Sequence, residues 1–171
     1  FSKQKESKGH REKVLLSFGR PETGKTLLNI ADLMLGHRLQ SSLITGIHFT
    51  LGTDLNPAKA DEYEQESFIP LREEAEHLQL HVQERYQVTD RFIPEMVKIA
   101  RQEQVDHLFL GAGQQFMMGN DVPAGTFGKK FTTVSRWLKQ LKNHPLHLPG
   151  TLLRQKLESI MEHVDCSVGI F

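Results

Sequence analysis

The chain alternates between short apolar runs and longer stretches in which apolar residues recur every three or four positions. Dense or alternating apolar residues are typical of a strand, whereas the wider spacing is typical of one face of a helix. A helical stretch stands between most neighbouring apolar runs, so the pattern predicts alternating β and α elements. Strands are predicted at residues 13–18, 42–50, 80–86, 107–112 and 166–171.

Local signals mark where several helices begin, break or end. Gly36 follows the first helical pattern as a stop signal, and Pro70 predicts a kink or break in the acidic helical stretch of residues 58–78. Asp90 is predicted to cap the next helix. The last helix is predicted from the spacing of Leu153, Leu157, Ile160, Met161 and Val164.

This order of elements predicts an α/β fold, a five-stranded parallel sheet with right-handed crossovers and helices on both faces. In such sheets ligands bind at the carboxyl ends of the strands, where the strand order reverses. A basic insertion, residues 114–148, separates the fourth strand from the last helix. It either packs on the domain's own sheet edge or contacts a partner, a membrane or a nucleotide.

Residues 19–26, GRPETGKT, match every fixed letter of the phosphate-binding loop pattern. The preceding strand and following helix fit that loop. However, Pro21 has no N–H to donate, Glu22 adds a carboxylate, and no predicted strand ends in an Asp that could position magnesium. We interpret the segment as an ordinary strand-to-helix turn with Thr23 as a candidate N-cap. A nucleotide hydrolase or kinase using this loop remains an alternative.

Composition narrows the class of protein. Of the 171 residues, 38% are hydrophobic and 25% charged, with zero formal net charge, which is typical of a globular domain and gives no indication of nucleic-acid binding. No apolar run approaches the roughly 20 residues that span a bilayer.

Cys166, the one cysteine, lies in an apolar run and is predicted to be a buried structural thiol. His144 and His147 lack a third nearby ligand, so no metal site is predicted. No catalytic set of residues is recognised.

The leading segment, residues 1–12, is rich in Lys and Arg. It is either a solvated linker or a juxtamembrane segment, since positive charge collects on the cytoplasmic side of membrane spans. The chain begins with Phe1 rather than Met, which favours a fragment of a longer protein. The predicted domain then occupies residues 13–171.

Several short stretches together carry a family resemblance. They are residues 14–28 (VLLSFGRPETGKTLL), 45–49 (TGIHF), 105–111 (VDHLFLG), 148–151 (LPGT) and 164–168 (VDCSV). In this order they resemble the first strand and turn, the second strand, the fourth strand with its glycine loop, and the ending of the universal stress protein family. The resemblance implies a three-layer sandwich similar to the adenine nucleotide alpha hydrolases.

The resemblance also implies a binding site for ATP or another adenine nucleotide. The glycine loop departs from the family's spacing, because Gly111-Ala-Gly113-Gln lacks the second glycine and over thirty residues precede Gly150. The base is expected near Ser17, Phe18, Gly19 and His48 or Phe49, and the phosphates near Gly111, Gly113, Gly150 and Thr151. Arg20 and Lys25 would add positive charge.

More narrowly, the chain resembles the stress-protein-like domain at the cytoplasmic C-terminus of bacterial cation/proton (sodium/hydrogen) antiporters. That resemblance implies a non-catalytic regulatory or ligand-sensing domain at the cytoplasmic face of the inner membrane, next to the membrane part of the same transporter. It also implies a homodimer formed through the last strand, residues 166–171. A free-standing, ATP-binding universal stress protein is the alternative.

Overall fold

The computed structural model describes residues 10–52, 56–111 and 158–171. Their strands form one parallel sheet in the order β3-β2-β1-β4-β5, which confirms the predicted five-stranded parallel sheet. The leader residues 1–9 and the insertion 114–148 lie outside the described residues. The strands are β1 (Lys13–Phe18), β2 (Leu43–Thr50), β3 (Val82–Val88), β4 (His107–Leu110) and β5 (Ser167–Ile170).

Helices connect these strands in the predicted alternation. A 3-10 turn at Pro57–Lys59 precedes the third helix, and residues 158–161 form a helical turn before β5. Among the described residues, no helix is both long and apolar enough to cross a membrane. The helices are α1 (Pro21–Leu35), α2 (His37–Gln40), α3 (Ala60–Ser67), α4 (Ile69–His77) and α5 (Phe92–Gln102).

The sheet separates two hydrophobic cores. Leu16 and Phe18 of β1 pack with α1 and α4 on one face, whereas Leu15 packs with α5 and Ile160 on the other. Successive residues of a strand point to opposite faces, so each face receives every second side chain. The result is the predicted three-layer arrangement, with helices on both faces of the sheet.

Two helix boundaries follow the predicted signals. Gly36 ends α1 with a φ of 53°, a conformation that glycine adopts without a Cβ penalty. The acidic helical stretch breaks at Phe68, and Pro70 lies in the first turn of α4. Proline is tolerated there because the first amides of a helix have no partner within it.

Two predicted helix caps are wrong. α1 begins at Pro21 with Arg20 as its N-cap, so Thr23 is already inside the first turn. α5 follows Arg91, and the Asp90 carboxylate instead accepts the Gly52 N–H at 3.2 Å. Asp90 therefore joins the segment after β3 to the segment after β2.

The third strand begins two residues later than predicted. Leu80 belongs to the turn that ends α4, where its N–H donates to the Ala75 carbonyl at 2.8 Å and Gln79 has a φ of 55°. A hydrophobic residue directly after such a turn commonly packs back on its helix. The apolar Leu80 therefore fits the alternating pattern by chance, and the predicted strand starts too early because Leu80 packs with the helix instead.

The amino-terminal edge of the sheet is ionic. Asp106 accepts the Lys13 N–H at 2.8 Å and lies 3.0 Å from His10 Nε2, and this backbone hydrogen bond lowers the pKa of the Asp106 carboxyl. Glu12 accepts a hydrogen bond from Arg38, which lowers the pKa of Glu12. The segment that enters β1 is therefore held by charged contacts.

Cys166 lies half-buried against the core on the α5 side. Burial and the nearby carboxylates raise the pKa of its thiol, which keeps the sulfur protonated. These surroundings fit the structural role predicted for this residue, although it is less deeply buried than expected.

Candidate functional site

A cleft of about 290 Å³ lies at the carboxyl edge of the sheet. The strand order reverses at β1, which has β2 and β3 on one side and β4 and β5 on the other. Ligands of parallel α/β sheets bind at this edge. The turn after β1, the end of β2 and helix α3 supply the lining residues Gly19, Pro21, His48, Thr50, Tyr63, Glu66 and Ser67.

Burial divides the lining of the cleft into a floor and a rim. His48, Thr50 and Ser67 form the floor, because they are exposed by 4%, 5% and 2% respectively. Tyr63 and Glu66 form the outer rim, since both side chains are exposed. A ligand that fills the cleft would bury one end against the floor and extend its other end past the rim.

His48 is enclosed by aromatic rings on the floor. The rings of Phe18 and Phe68 approach it edge-on, with centroids 5.4 and 6.2 Å away, and Tyr86 stacks parallel to it at 5.5 Å. Its Nδ1 lies 3.3 Å from the Thr50 hydroxyl. Its Nε2 is buried and has no partner of normal hydrogen-bond geometry within the described part of the chain, and the Gly19 backbone makes only a weak hydrogen bond with the ring.

The floor of the cleft is uncharged at neutral pH. Burial lowers the pKa of His48 from 6.5 to about 4, although the nearby backbone of Gly19 opposes part of this shift. A neutral imidazole has one donor and one acceptor nitrogen. The Thr50 and Ser67 hydroxyls add neutral polar groups, and Ser67 donates to the Tyr63 carbonyl at 2.6 Å. The floor therefore offers hydrogen-bonding groups without charge.

Two other buried hydroxyls lack partners among the described residues. Tyr86 Oη is one, on the ring that stacks against His48. Ser17 Oγ is the other, one residue before the end of β1. A buried polar group without a partner costs free energy, and such groups are uncommon in folded proteins. Tyr86 therefore adds a second buried polar atom without a partner to the aromatic rings around His48.

The GRPETGKT segment does not form a phosphate-binding loop. Its last six residues form the first turns of α1, so only Gly19 and Arg20 remain between strand and helix. A Cβ on Gly24 would lie 2.8 Å from the Phe18 ring, and Lys25 pairs with Glu74 at 3.5 Å. Gly24 therefore serves helix-to-strand packing, and the interpretation as an ordinary turn is confirmed.

The predicted site residues on β1 and β2 divide between the two faces of the sheet. Phe18, Gly19 and His48 lie at the cleft or directly against its floor. Phe49 packs against Phe92 in the α5 core, with ring centroids 4.7 Å apart, and Ser17 shares that face by alternation. The structure therefore brings three of these five residues together.

The predicted glycine-loop residues are only partly described. Gly111 follows β4, and its N–H donates to the Ser17 carbonyl at 2.9 Å. A Cβ there would lie 2.4 Å from the Thr23 methyl, so the glycine allows α1 to approach β4. Gly113, Gly150 and Thr151 lie outside the described residues.

Sequence reasoning found only Gly19 and His48 among the seven lining residues. Tyr63, Glu66 and Ser67 belong to the acidic helical stretch, where the sequence predicts no site, and Thr50 ends a strand without any motif. One signal was available, because Tyr63 and Ser67 stand four positions apart and share a helix face. A face with an aromatic and a small hydroxyl residue indicates contact with something other than water.

Comparison with known proteins gives distant structural similarities. No family model matches the chain, and no curated protein matches it. A universal stress protein from Archaeoglobus fulgidus, in complex with dAMP, is 12% identical over 94% of this chain and 97% of its own, with a TM-score of 0.47. A universal stress protein family member from Burkholderia pseudomallei is 8% identical over 94% and 95%, with a TM-score of 0.49. A universal stress protein in complex with cAMP is 12% identical over 94% and 96%, with a TM-score of 0.47.

The class of protein follows from the strand order and pairing of this chain itself. It is a parallel α/β three-layer sandwich with a small cleft at the carboxyl edge of its sheet. Within the described residues, no group of three or more His, Cys, Asp or Glu side chains is arranged to hold a metal ion.

Proposed function

We propose that the chain binds an adenine nucleotide without turning it over, and that the base occupies the cleft. One observation carries the proposal: His48, buried and neutral, lines a cleft at the ligand-binding edge of the sheet, and its enclosed Nε2 has no partner of normal hydrogen-bond geometry among the described residues. If the floor opens so that a ligand reaches this enclosed atom, the ligand supplies the missing hydrogen bond and binding gains free energy.

The chemistry of the floor supports a heterocyclic base over an anionic group. The floor has an imidazole and two hydroxyls, with no cationic side chain among its described residues. Its volume of about 290 Å³ is near the lower end of small-molecule pockets, about 300 to 1,000 Å³. A cleft of this size admits a base, and a sugar and phosphates would extend beyond it.

The sequence resemblance supports adenine as the base and the four residues of the glycine loop as phosphate contacts. Of these four, Gly111 is the described one, and its backbone N–H already donates within the sheet. The phosphate contacts at Gly113, Gly150 and Thr151 stay predictions. They are tested separately from the base, because the cleft is lined by other residues.

Calorimetric titration of the 171-residue chain with AMP, ADP and ATP tests the proposal, alongside a phosphate-release assay with magnesium. We expect binding without phosphate release. His48→Phe keeps an aromatic ring and removes both nitrogens, so adenine affinity should fall at least about fivefold, the equivalent of one neutral hydrogen bond of about 1 kcal/mol. Thr45→Val is the matched control, since Thr45 lies on the same strand and on the opposite face.

Three results would contradict this function. Absence of binding by any adenine nucleotide removes the proposal. Equal affinities of the wild type and His48→Phe place the base outside the cleft. Magnesium-dependent phosphate release shows an enzyme, and its loss in Lys25→Ala would return the GRPETGKT segment to consideration.

We further propose that this binding serves a regulatory domain of a cation/proton antiporter at the cytoplasmic face of the inner membrane. The resemblance in sequence supports this setting, and the cleft supplies the sensing element. Transport by the intact protein in proteoliposomes should then depend on adenine nucleotide, and His48→Phe should abolish that dependence. An intact gene product without membrane spans would instead identify a free-standing nucleotide-binding stress protein.

A further inference from the structure

We infer, on the basis of the function proposed above, that the site favours adenine ligands with few or no phosphates over ATP. The inference concerns the rim of the cleft, where the outer end of the ligand emerges. The floor is formed by buried residues and the rim by exposed ones, so the base enters first and the phosphate-bearing end passes the rim.

The rim carries negative charge. Glu66 is the charged residue in the described lining of the cleft, and its carboxylate makes no ion pair with the described residues. The same helix adds three further acids and no base. The acidic side chains of α3 are Asp61, Glu62, Glu64 and Glu66.

Among the described residues, the two lysines closest in sequence to the lining are paired with other acids. Lys25 of α1 pairs with Glu74 at 3.5 Å, and Lys59, which precedes α3, pairs with Glu62 at 3.7 Å. Arg20 lies between two lining residues and has an exposed side chain with contacts of its own. Of the charges on the described residues, each phosphate added to the ligand therefore meets more repulsion from Glu66 than attraction.

Ligand charge tests this inference directly. The 171-residue chain is titrated with adenosine, AMP, ADP and ATP without magnesium, as wild type and as Glu66→Gln. We expect affinity to fall from adenosine to ATP. We expect Glu66→Gln to reduce the ratio of adenosine affinity to ATP affinity about fivefold, because two charges about 4 Å apart in water interact by about 1 kcal/mol. Raising the salt concentration should narrow the same ratio in the wild type, because salt screens charges at an exposed rim.

Two control variants distinguish the effect of the Glu66 charge from the effect of other charges near the cleft. Glu64→Gln removes an acid of the same helix that neither lines the cleft nor pairs with a described cation, and it should leave the adenosine-to-ATP affinity ratio close to that of the wild type. Arg20→Gln tests the cation next to the cleft. If Arg20→Gln weakens ATP and spares adenosine, the phosphates lie on Arg20 and the inference is overturned.

The remaining outcomes distinguish this inference from the function on which it rests. If ATP binds more tightly than adenosine, or if Glu66→Gln leaves the ratio unchanged, the inference fails and nucleotide binding stands. If none of the four ligands binds, the proposed function itself fails. Tighter binding of adenosine that depends on Glu66 supports both.

Discussion

The imidazole of His48 and the phenol ring of Tyr86 lie parallel, with centroids 5.5 Å apart and planes within 4° of each other. The two residues are direct partners in the register of β2 and β3. Each carries a buried polar atom with no partner among the described residues. Two adjacent strands thus each contribute a buried polar atom without a partner to one pair of stacked rings, and His48 of that pair lines the cleft.

Replacement of Tyr86 by Phe should show whether the buried Tyr86 hydroxyl contributes to the stability of the fold. The change keeps the stacked ring and removes a buried hydroxyl that lacks a hydrogen bond, so the free energy of unfolding should stay equal or rise by up to about 1 kcal/mol. Urea unfolding of the free chain measures this. A loss above about 1 kcal/mol would show that the hydroxyl has a partner in the folded protein.

Acid should destabilise the chain through His48. Its pKa is about 4 in the folded state and 6.5 unfolded, so the unfolded chain binds the extra proton between those values. This contribution is fully present above pH 6.5 and is lost as pH falls towards 4, by about 3 kcal/mol in total. Unfolding measured across this window should be less pH-dependent in His48→Phe. Equal pH dependence in both proteins would show that His48 is not held neutral.

Gly24→Ala should destabilise the fold even though alanine favours helices. The new Cβ would lie 2.8 Å from the end of the buried Phe18 ring, and overpacking of this kind costs about 1 to 3 kcal/mol. Denaturant unfolding measures the loss. Thr26→Ala, an exposed change in the same helix, is the control and should stay within about 0.5 kcal/mol. An equally stable Gly24→Ala would show that α1 lies farther from β1.

Lys25→Ala should leave nucleotide affinity unchanged. The Lys25 side chain is 43% exposed and pairs with Glu74 across α1 and α4, so its removal should cost less than about 1 kcal/mol of stability. Calorimetry and thermal unfolding of the same sample test both statements. A loss of ATP affinity without loss of stability would show direct phosphate contact by this lysine.

We propose that β5 pairs with β5 of a second copy. The amides of Ser167 and Phe171 donate to β4, so by alternation those of Val168 and Ile170 point away from β4. Ile170→Pro removes one outward amide and should shift sedimentation from dimer to monomer, with circular dichroism as the check on folding. A wild-type chain that is monomeric at every concentration tested would overturn the proposal.

The sequence predicted the helices and strands better than the cleft lining, because short sequence patterns depend on the packing of neighbouring residues. The bounds of β1 were predicted correctly, and Gly36 and Pro70 mark real boundaries, since these signals depend on neighbouring residues alone. Asp90 was misjudged because its partner, Gly52, lies 38 positions away. The contribution of α3 to the cleft depends on how that helix lies over β2, which no local spacing encodes.

The alternation that places His48 in the cleft and Phe49 in the opposite core also bears on folding errors. A one-residue slip of β2 would exchange them, and an imidazole would then enter the α5 core while a phenyl ring faced the cleft. A ligand that binds His48 stabilises only the correctly registered chain, by an amount that grows with its concentration. Any ligand of the cleft would therefore also favour the correct pairing of β2 with its neighbouring strands.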